Sequence, residues 1–231
     1  MAITSLAPSI TYSTQSTNGI AAAGQMIVAS NIAVGTPAAG TGVTWVAAQT
    51  SFSDTQPNFY IQNLDPVKSL HLICLKMVAN AVGTAAVSWQ YAGVLDPTAR
   101  SITTNHVSLA ATFVPNTNAT TGTGYTLPSV QYQSSATASA FSVSSGKAAM
   151  VSRGSLGALN VIGDEFIIKF GTFDASGTTA LTAAESGGVG SRASCDGPVI
   201  IAPNSVYTLT IWGPSSSAAF APDFSFFMAA L

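Results

Sequence analysis

The chain alternates between short apolar segments and tracts that form turns. TWVAAQTSFSD and NFYIQNL are rich in aromatic and β-branched residues and are bounded by Gly, Pro and Asn, which is typical of strands. The run SLHLICLKMVAN is apolar at most positions, which indicates a strand covered on both faces, with a helix as the competing interpretation. Val87, Trp89 and Tyr91 then alternate, so we expect an antiparallel pair of strands that ends at LDPTAR.

The second half of the chain continues the same pattern. Its segments with strand character are HVSLAATFV, SAFSVSS, DEFIIKFGTF, VYTLTIWG and DFSFFMAAL. Turn-forming tracts such as PNTNATTGTG separate them, and the pattern leaves room only for short helices near residues 145–152 and 181–185. About eight or nine short strands in one chain predict a single antiparallel sandwich or barrel.

The two ends of the chain depart from this pattern in opposite ways. Residues 1–42 are mostly Ser, Thr, Ala and Gly with neither a helical stripe nor strong alternation. We predict an extended N-terminal arm over residues 1–42, ordered on neighbouring molecules, and a β domain over residues 43–231. The C-terminal tract APDFSFFMAAL is unusually apolar for a terminus, so we expect it to be a buried strand between earlier strands.

Charge is scarce and unevenly distributed. Charged residues make up 7% of the 231 residues, against about a quarter in an average domain, and the formal net charge is −2. None of Asp, Glu, Lys, Arg or His occurs before Asp54, and between Arg100 and Lys147 the only one is His106. Because the cores of protein interfaces are depleted in charge, this distribution favours a chain that buries much of its outside against copies of itself.

Targeting and redox features are sparse. The start MAITSLAPSI lacks a basic n-region with a continuous apolar core, and no segment reaches the roughly 18 uncharged apolar residues of a spanning helix. We therefore expect a soluble, unprocessed protein with no membrane span. Cys74 and Cys195 are the only cysteines, and two reduced thiols are favoured over a disulfide between them.

Three segments, in their order along the chain, carry a resemblance to a known family. LHLICLKMVANAVGTAAVSWQYAGVLDPTAR resembles the third and fourth strands of coat proteins from small icosahedral positive-strand RNA viruses. IIAPNSVYTLTIWG is similar to the Pro-Asn-Ser turn that enters a late strand, and PDFSFFMAAL to the Asp-Phe-Ser-Phe final strand of picorna-like capsid jelly rolls. The resemblance implies an eight-stranded antiparallel jelly roll, made in the host cytoplasm, many copies of which tile the closed shell of a virion.

The chain departs from part of that family at its N-terminus. Tombusvirus-like and sobemovirus-like coats carry an arm rich in Lys and Arg that neutralises packaged RNA, whereas the first base here is Lys68. A phosphate contact needs a cation, so the arm does not neutralise RNA. Tymovirus-like coats, which are thought to use small polyamines, are the better comparison. The expected partners are copies of the same chain. Genomic RNA bound without a basic arm, a lipid-lined shell and an empty shell are all left open, and so is the type of genome.

The sequence contains no convincing catalytic constellation. His71 and His106 are the only histidines, and in a strand His71 and Cys74 would face opposite sides, which favours a packing histidine. RGSLG lacks the Gly two residues before the serine of a nucleophile elbow, and GGVGSRAS lacks the strand that precedes a phosphate-binding loop. We predict that the protein is not an enzyme.

Two sets of side chains are weak candidates for binding sites. The candidate calcium ligands are Asp96, Asp164, Glu165 and Asp196. In related shells such ions sit between subunits, but EF-hand spacing is absent and solvated turn acids are favoured, so no cofactor is predicted unless calcium binds at subunit interfaces. The candidate nucleic-acid contacts are Lys147, Arg153 and Arg192, for which ordinary solubilising roles are favoured because they form no basic cluster.

Two other functions remain open from the sequence. A carbohydrate-binding β-sandwich would use Trp45, Trp89 and Trp212 as its aromatic residues. The richness in Thr and Ser also favours that module, and a fibre or pilus subunit, which would form filaments, is a third option. The coat protein is the leading interpretation because it alone accounts for the order of the three resembling segments.

Overall fold

The computed structural model describes residues 26–30, 45–46, 50–81, 88–100, 102–104, 106–109, 111–113, 126–133, 140–158, 165–170, 191–213 and 219–230. Within these residues the protein is all-β and contains no helix. The strands are β1 (Met26–Ser30), β2 (Trp45–Val46), β3 (Phe59–Gln62), β4 (Lys68–Ala81), β5 (Ser88–Asp96), β6 (Ile102–Thr104), β7 (His106–Leu109), β8 (Ala111–Phe113), β9 (Ser129–Gln133), β10 (Ala140–Phe141), β11 (Ala149–Ala158), β12 (Glu165–Phe170), β13 (Ser191–Asp196), β14 (Ile200–Ile201), β15 (Val206–Trp212) and β16 (Ala219–Ala230).

Most of these strands form two large sheets. The first sheet has the order β13-β12-β4-β16-β1-β8, with β14 beside β4 and β2 beside β16. The second sheet has the order β11-β5-β15-β3-β9-β7, and β6 pairs with β10 in a small sheet of its own. The architecture is consistent with a β-sandwich, as the turn spacing predicts.

One pair departs from the antiparallel expectation. Strands β12 and β13 run parallel at the edge of the first sheet, with Glu165 opposite Ser191 and Phe170 opposite Asp196. Residues 171–190 connect them, which exceeds the dozen or so residues that a parallel connection needs. All the other described pairs are antiparallel.

The main core lies between the inner faces of the two sheets. Strand β4 contributes Leu70, Leu72, Leu75 and Met77, and β15 contributes Tyr207, Leu209 and Ile211, all of which are buried. Phe170 of β12 meets Tyr207 of β15 edge to face, with ring centroids 6.1 Å apart, so the contact crosses from one sheet to the other.

The two central strands were predicted correctly, but their pairing was not. Strand β4 spans Lys68–Ala81 and β5 spans Ser88–Asp96, close to the predicted segments. They lie in different sheets, where β4 pairs with β16 and β12 while β5 pairs with β15 and β11. A strand shows the same alternation of apolar and polar residues whether the next strand pairs with it in the same sheet or lies in the opposite sheet. The local pattern therefore does not distinguish these two arrangements.

The C-terminal strand occupies the interior of the first sheet. Strand β16 pairs with β4 on one side and with β1 on the other, which confirms its expected place between earlier strands. Strand β1 falls inside the segment predicted as an arm, and its Ile27 and Ala29 are fully buried in the core. Those five residues therefore belong to the sheet, while residues 1–25 and 31–42 lie outside the described part of the chain.

Other local expectations had mixed outcomes. The short helix that the sequence left open near residues 145–152 is not formed, because a loop there leads into β11 at Ala149. The segment HVSLAATFV is divided between β7 in the second sheet and β8 in the first. The helix predicted near residues 181–185 lies outside the described residues. Strand β11 was not predicted because Ser and Gly interrupt its apolar pattern.

A third layer covers part of the outer face of the second sheet. Residues 140–148, which we call the strap, place the buried Phe141 against Tyr60 of β3 and Val206 of β15. The rings of Tyr60 and Phe141 stack with centroids 5.5 Å apart. This small cluster is separate from the main core, so the outer face of the second sheet is not simply a solvated surface.

Candidate functional site

The histidine and cysteine of β4 do not have the arrangement that their spacing suggests. A β-bulge separates the pairs Leu72 with Phe226 and Cys74 with Ser225, so Ile73 is the extra residue. His71 and Cys74 therefore face the same outer side of the first sheet, and the expectation that they face opposite sides is wrong. Both are half-buried, and burial lowers the pKa of His71.

The candidate calcium ligands are not brought together. Glu165 and Asp196 lie at opposite ends of the β12–β13 pair, about five residues or 16 Å apart along the strands. Asp96 lies in the second sheet, and Asp164 is outside the described residues. In the described part of the chain no group of three or more His, Cys, Asp or Glu side chains could hold a metal ion.

Asp96 is instead a fully engaged buried carboxylate. Its Oδ1 accepts the Ser145 hydroxyl at 2.6 Å and the Thr98 amide at 2.9 Å, and its Oδ2 accepts the Ser145 amide at 2.7 Å. Burial acts to raise its pKa, but these hydrogen bonds and the nearby charge of Arg100 outweigh burial and leave the pKa lowered. Asp96 thus links the turn that follows β5 to the strap.

Two of the candidate nucleic-acid contacts lie along one edge of the sandwich. Lys147 in the strap and Arg153 in the edge strand β11 are both exposed. Arg192 belongs to β13, the edge strand of the other sheet, and β13 contacts β11. The contact between β11 and β13 therefore places Arg153 and Arg192 on strands at the same edge of the sandwich, which the linear sequence did not indicate.

Arg100 is a structural residue that the sequence reasoning missed. Its guanidinium is buried and donates from Nε to the Ser142 carbonyl at 2.9 Å and from Nη2 to the Asp54 carbonyl at 2.6 Å. Nη2 also donates to the Ser142 carbonyl, and Nη1 lies 3.4 Å from the Asp54 carboxylate. The guanidinium carbon sits 5.6 Å from the centroid of the Phe141 ring. The only available signal was an arginine directly after the turn LDPTA.

Tyr60 completes this network from the outer face of β3. Its hydroxyl donates to the Arg100 carbonyl at 3.2 Å. Burial is the main reason that the pKa of Tyr60 is raised. The hydroxyl is therefore a neutral donor that fixes the backbone from which the Arg100 side chain extends.

A second buried carboxylate organises the turn between β3 and β4. Asp65 accepts the amides of Val67, Lys68 and Thr126 at 2.8–3.0 Å. Burial acts to raise the pKa of Asp65, but the three amides and the charge of Lys68 outweigh it, so the pKa is lowered. Asn63 supports the same turn by donating to the carbonyls of Lys68 and Ile201.

The described surface is poor in charge and contains several apolar side chains. Among the side chains whose exposure the structure describes, the exposed charged ones are Lys147, Arg153 and Lys169. The exposed large hydrophobic residues are Phe52, Leu64, Val67, Val143, Met150, Val151 and Ile200. Such a surface differs from the densely charged surface of an average soluble domain.

The three tryptophans do not form one exposed surface. Trp89 is only 3% exposed and packs against the backbone of Gly213 in the core. Trp212 is partly exposed and contacts Phe52 edge to face, with ring centroids 5.8 Å apart. The side chain of Trp45 lies outside the described part of the chain. Trp89 is therefore excluded as a surface platform.

The described residues include no helix long and apolar enough to cross a membrane. Comparison with protein-family models, with curated proteins and with solved structures finds no match to this chain.

Proposed function

We propose that this protein is a structural coat subunit with a single jelly-roll domain, and that it self-assembles into an icosahedral shell enclosing a genome. The activity is geometric and requires neither a catalytic residue nor a cofactor. Each subunit presents preformed β faces to its neighbours, and the N-terminal arm lets one sequence occupy non-identical positions. The proposal rests first on the arrangement of the strands and second on the apolar side chains exposed at the described surface.

One observation carries the proposal. The consecutive strands β4 and β5 pair with the last two strands in reverse order, β4 with β16 and β5 with β15, and the two pairs lie in opposite sheets. This nested pairing is what a long antiparallel ribbon gives when it is rolled into a two-sheet jelly roll. It joins the same three segments that resemble viral coat proteins in sequence.

The surface supplies the physical reason for assembly. Apolar side chains such as Val143, Met150 and Val151 are exposed in and after the strap, beside few charges. At about 25 cal/mol per Å² of apolar area removed from water, modest contacts repeated around a shell are sufficient to hold it together. Lys147 and Arg153 are the proposed contacts to RNA, with polyamines supplying the remaining positive charge.

Electron microscopy and sedimentation of the purified full chain test the proposal. We expect closed particles some tens of nanometres across, and nuclease treatment of intact particles shows whether nucleic acid is enclosed. A monodisperse monomer at all concentrations would contradict self-assembly. Filaments would favour the fibre or pilus alternative.

A carbohydrate-binding module is the second candidate function. The observation that favours it is the partly exposed Trp212, with Phe52 against its ring and the exposed Gln90 opposite it in the neighbouring strand. An aromatic face beside an amide offers both stacking and hydrogen bonding. Oligosaccharides that quench tryptophan fluorescence in the native chain but not in Trp212→Ala would support this function.

A further inference from the structure

The strap is attached to the sandwich mainly through charged side chains of other segments. Its backbone groups at Ser142, Ser144 and Ser145 bind Arg100, Asp54 and Asp96, respectively. Its backbone also pairs with β6 through the two residues of β10, and the Phe141 amide donates to the Thr55 carbonyl at 2.9 Å.

The apolar anchor of the strap is small. Phe141 contacts Tyr60 and Val206 in a cluster that is separate from the main core between the sheets. Strands β10 and β6 likewise form a two-stranded sheet apart from the two large ones. The strap can therefore detach without breaking a pair in either large sheet, which is the condition for local opening below the free energy of global unfolding.

We propose that the strap is a latch that opens on acidification as a unit, while the sandwich remains folded, and that its opening uncovers the outer face of β3 and β15 at Tyr60 and Val206. This inference does not depend on the proposed function. The groups that close the latch are the carboxylates of Asp96 and Asp54 together with the guanidinium of Arg100.

The sign of the pH dependence follows from Asp96. The ionised carboxylate accepts three hydrogen bonds, two of them from Ser145, so closing the strap favours ionisation and holds the pKa of Asp96 below its ordinary value near 3.9. The stabilisation is complete above that ordinary value and is lost as the pH falls through the lower, closed-state value.

The other charged and titratable groups around the latch are few. Arg100 faces Asp54, Tyr60 lies beneath Phe141 and Lys147 is exposed in the strap itself. Strand β6, the adjoining part of β15 and the segments 101–105 and 134–139 contain no Asp, Glu, Lys, Arg or His. Protonation of Asp96 therefore removes a negative charge close to the buried guanidinium of Arg100.

Hydrogen exchange of the full chain between about pH 7 and pH 3 tests the latch. After correction for intrinsic exchange, we expect protection of the Phe141, Ser144 and Ser145 amides to fall several-fold between about pH 4 and pH 3. Protection of the β15 amides should persist. The proposal would be overturned if the strap amides and the β15 amides lost protection together, or if the strap amides kept their full protection at about pH 3.

Two variants distinguish opening of the strap from a general loss of stability in acid. Ser145→Ala removes the 2.6 Å hydroxyl bond to Asp96, and we expect strap protection at neutral pH to fall about tenfold, or about 1.4 kcal/mol. Asp96→Asn should open the strap at neutral pH and flatten its pH dependence; if that variant does not fold, Ser145→Ala and the native titration still decide.

Asp65→Asn is the matched control for Asp96→Asn. Asp65 is likewise a buried carboxylate with three hydrogen bonds, but its donors are Val67, Lys68 and Thr126, outside the strap. We expect it to leave protection of the Ser144 and Ser145 amides unchanged. Opening of the strap in Asp65→Asn to the same extent as in Asp96→Asn would overturn the proposal, because the effect would then be general destabilisation.

Discussion

The hydroxyl groups of Tyr207 and Ser152 meet over strand β5, which has a glycine, Gly93, at the point between them. Tyr207 belongs to β15 and Ser152 to β11, the two neighbours of β5, and their hydroxyl oxygens lie 2.7 Å apart in the core. The contact passes over Gly93 of β5, where a Cβ atom would overlap both hydroxyl groups. The three residues therefore tie the edge strand β11 to the centre of the second sheet.

The hydrogen bond should be measurable as a coupling energy. Tyr207→Phe and Ser152→Ala each remove one of the two hydroxyl groups of this buried hydrogen bond, so we expect each to lower the free energy of unfolding by about 1–2 kcal/mol. The double variant should cost less than the sum by about 1 kcal/mol, measured in a denaturant double-mutant cycle. Strict additivity would show that the two hydroxyls do not interact.

Gly93→Ala tests the close approach itself. A methyl group at Gly93 would overlap the hydroxyls of Tyr207 and Ser152, and neither lies at the end of a freely moving side chain. We expect a loss of about 2–4 kcal/mol or failure to fold, seen in chemical denaturation. Gly146→Ala is the control, because an added Cβ there meets nothing within 4 Å, and its effect should stay within about 0.5 kcal/mol.

Arg100→Lys tests the hydrogen bonds by which the Arg100 guanidinium holds the strap. A lysine keeps the charge but cannot donate in parallel to the carbonyls of Ser142 and Asp54, so these partly buried hydrogen bonds are lost. We expect the midpoint of thermal unfolding to fall, with a loss of about 2–4 kcal/mol. Arg153→Lys, at an exposed position, should change stability by less than about 0.5 kcal/mol. Equal effects of the two variants would show that the Arg100 hydrogen bonds do not stabilise the strap.

Asp65→Asn should reveal an acid-dependent contribution to stability. The folded state lowers the pKa of Asp65, so its ionised form stabilises the protein fully above its ordinary pKa near 3.9 and less as the pH falls through the folded-state value. We expect the variant to lose about 1–3 kcal/mol at neutral pH. The difference from the native chain should shrink as the pH falls below about 4; an equal difference in urea denaturation at about pH 7 and pH 3 would contradict this assignment.

Much of the local structure could be predicted from the sequence because its signals are short in range. The Pro-Asn-Ser segment is a turn into β15, where Ser205 donates to the Ala202 carbonyl and Asn204 has a φ of 59°, a conformation that asparagine tolerates. The Asp-Pro segment after β5 is also a turn, closed by the Thr98 amide on Asp96. In both cases the residue types contain the reason for the turn.

The candidate sites were predicted less well because they depend on bulges and on contacts between distant segments. The extra residue Ile73 reverses the relation between His71 and Cys74, and no alternation rule shows where a bulge falls. The role of Arg100 depends on Asp54 and Ser142, each more than forty residues away. A sequence pattern can identify Arg100 as a charged residue, but not as a buried one.

The sequence by itself determined that the protein is all-β, where most of its long strands lie and that its apolar terminus is a strand, because alternation and turn chemistry act over a few neighbouring residues. Only the tertiary structure decided that β4 and β5 lie in different sheets, that β1 belongs to the first sheet and that a strap covers the second. These features depend on which distant strands bury each other's apolar faces and satisfy each other's backbone groups. That choice is made by the whole chain together.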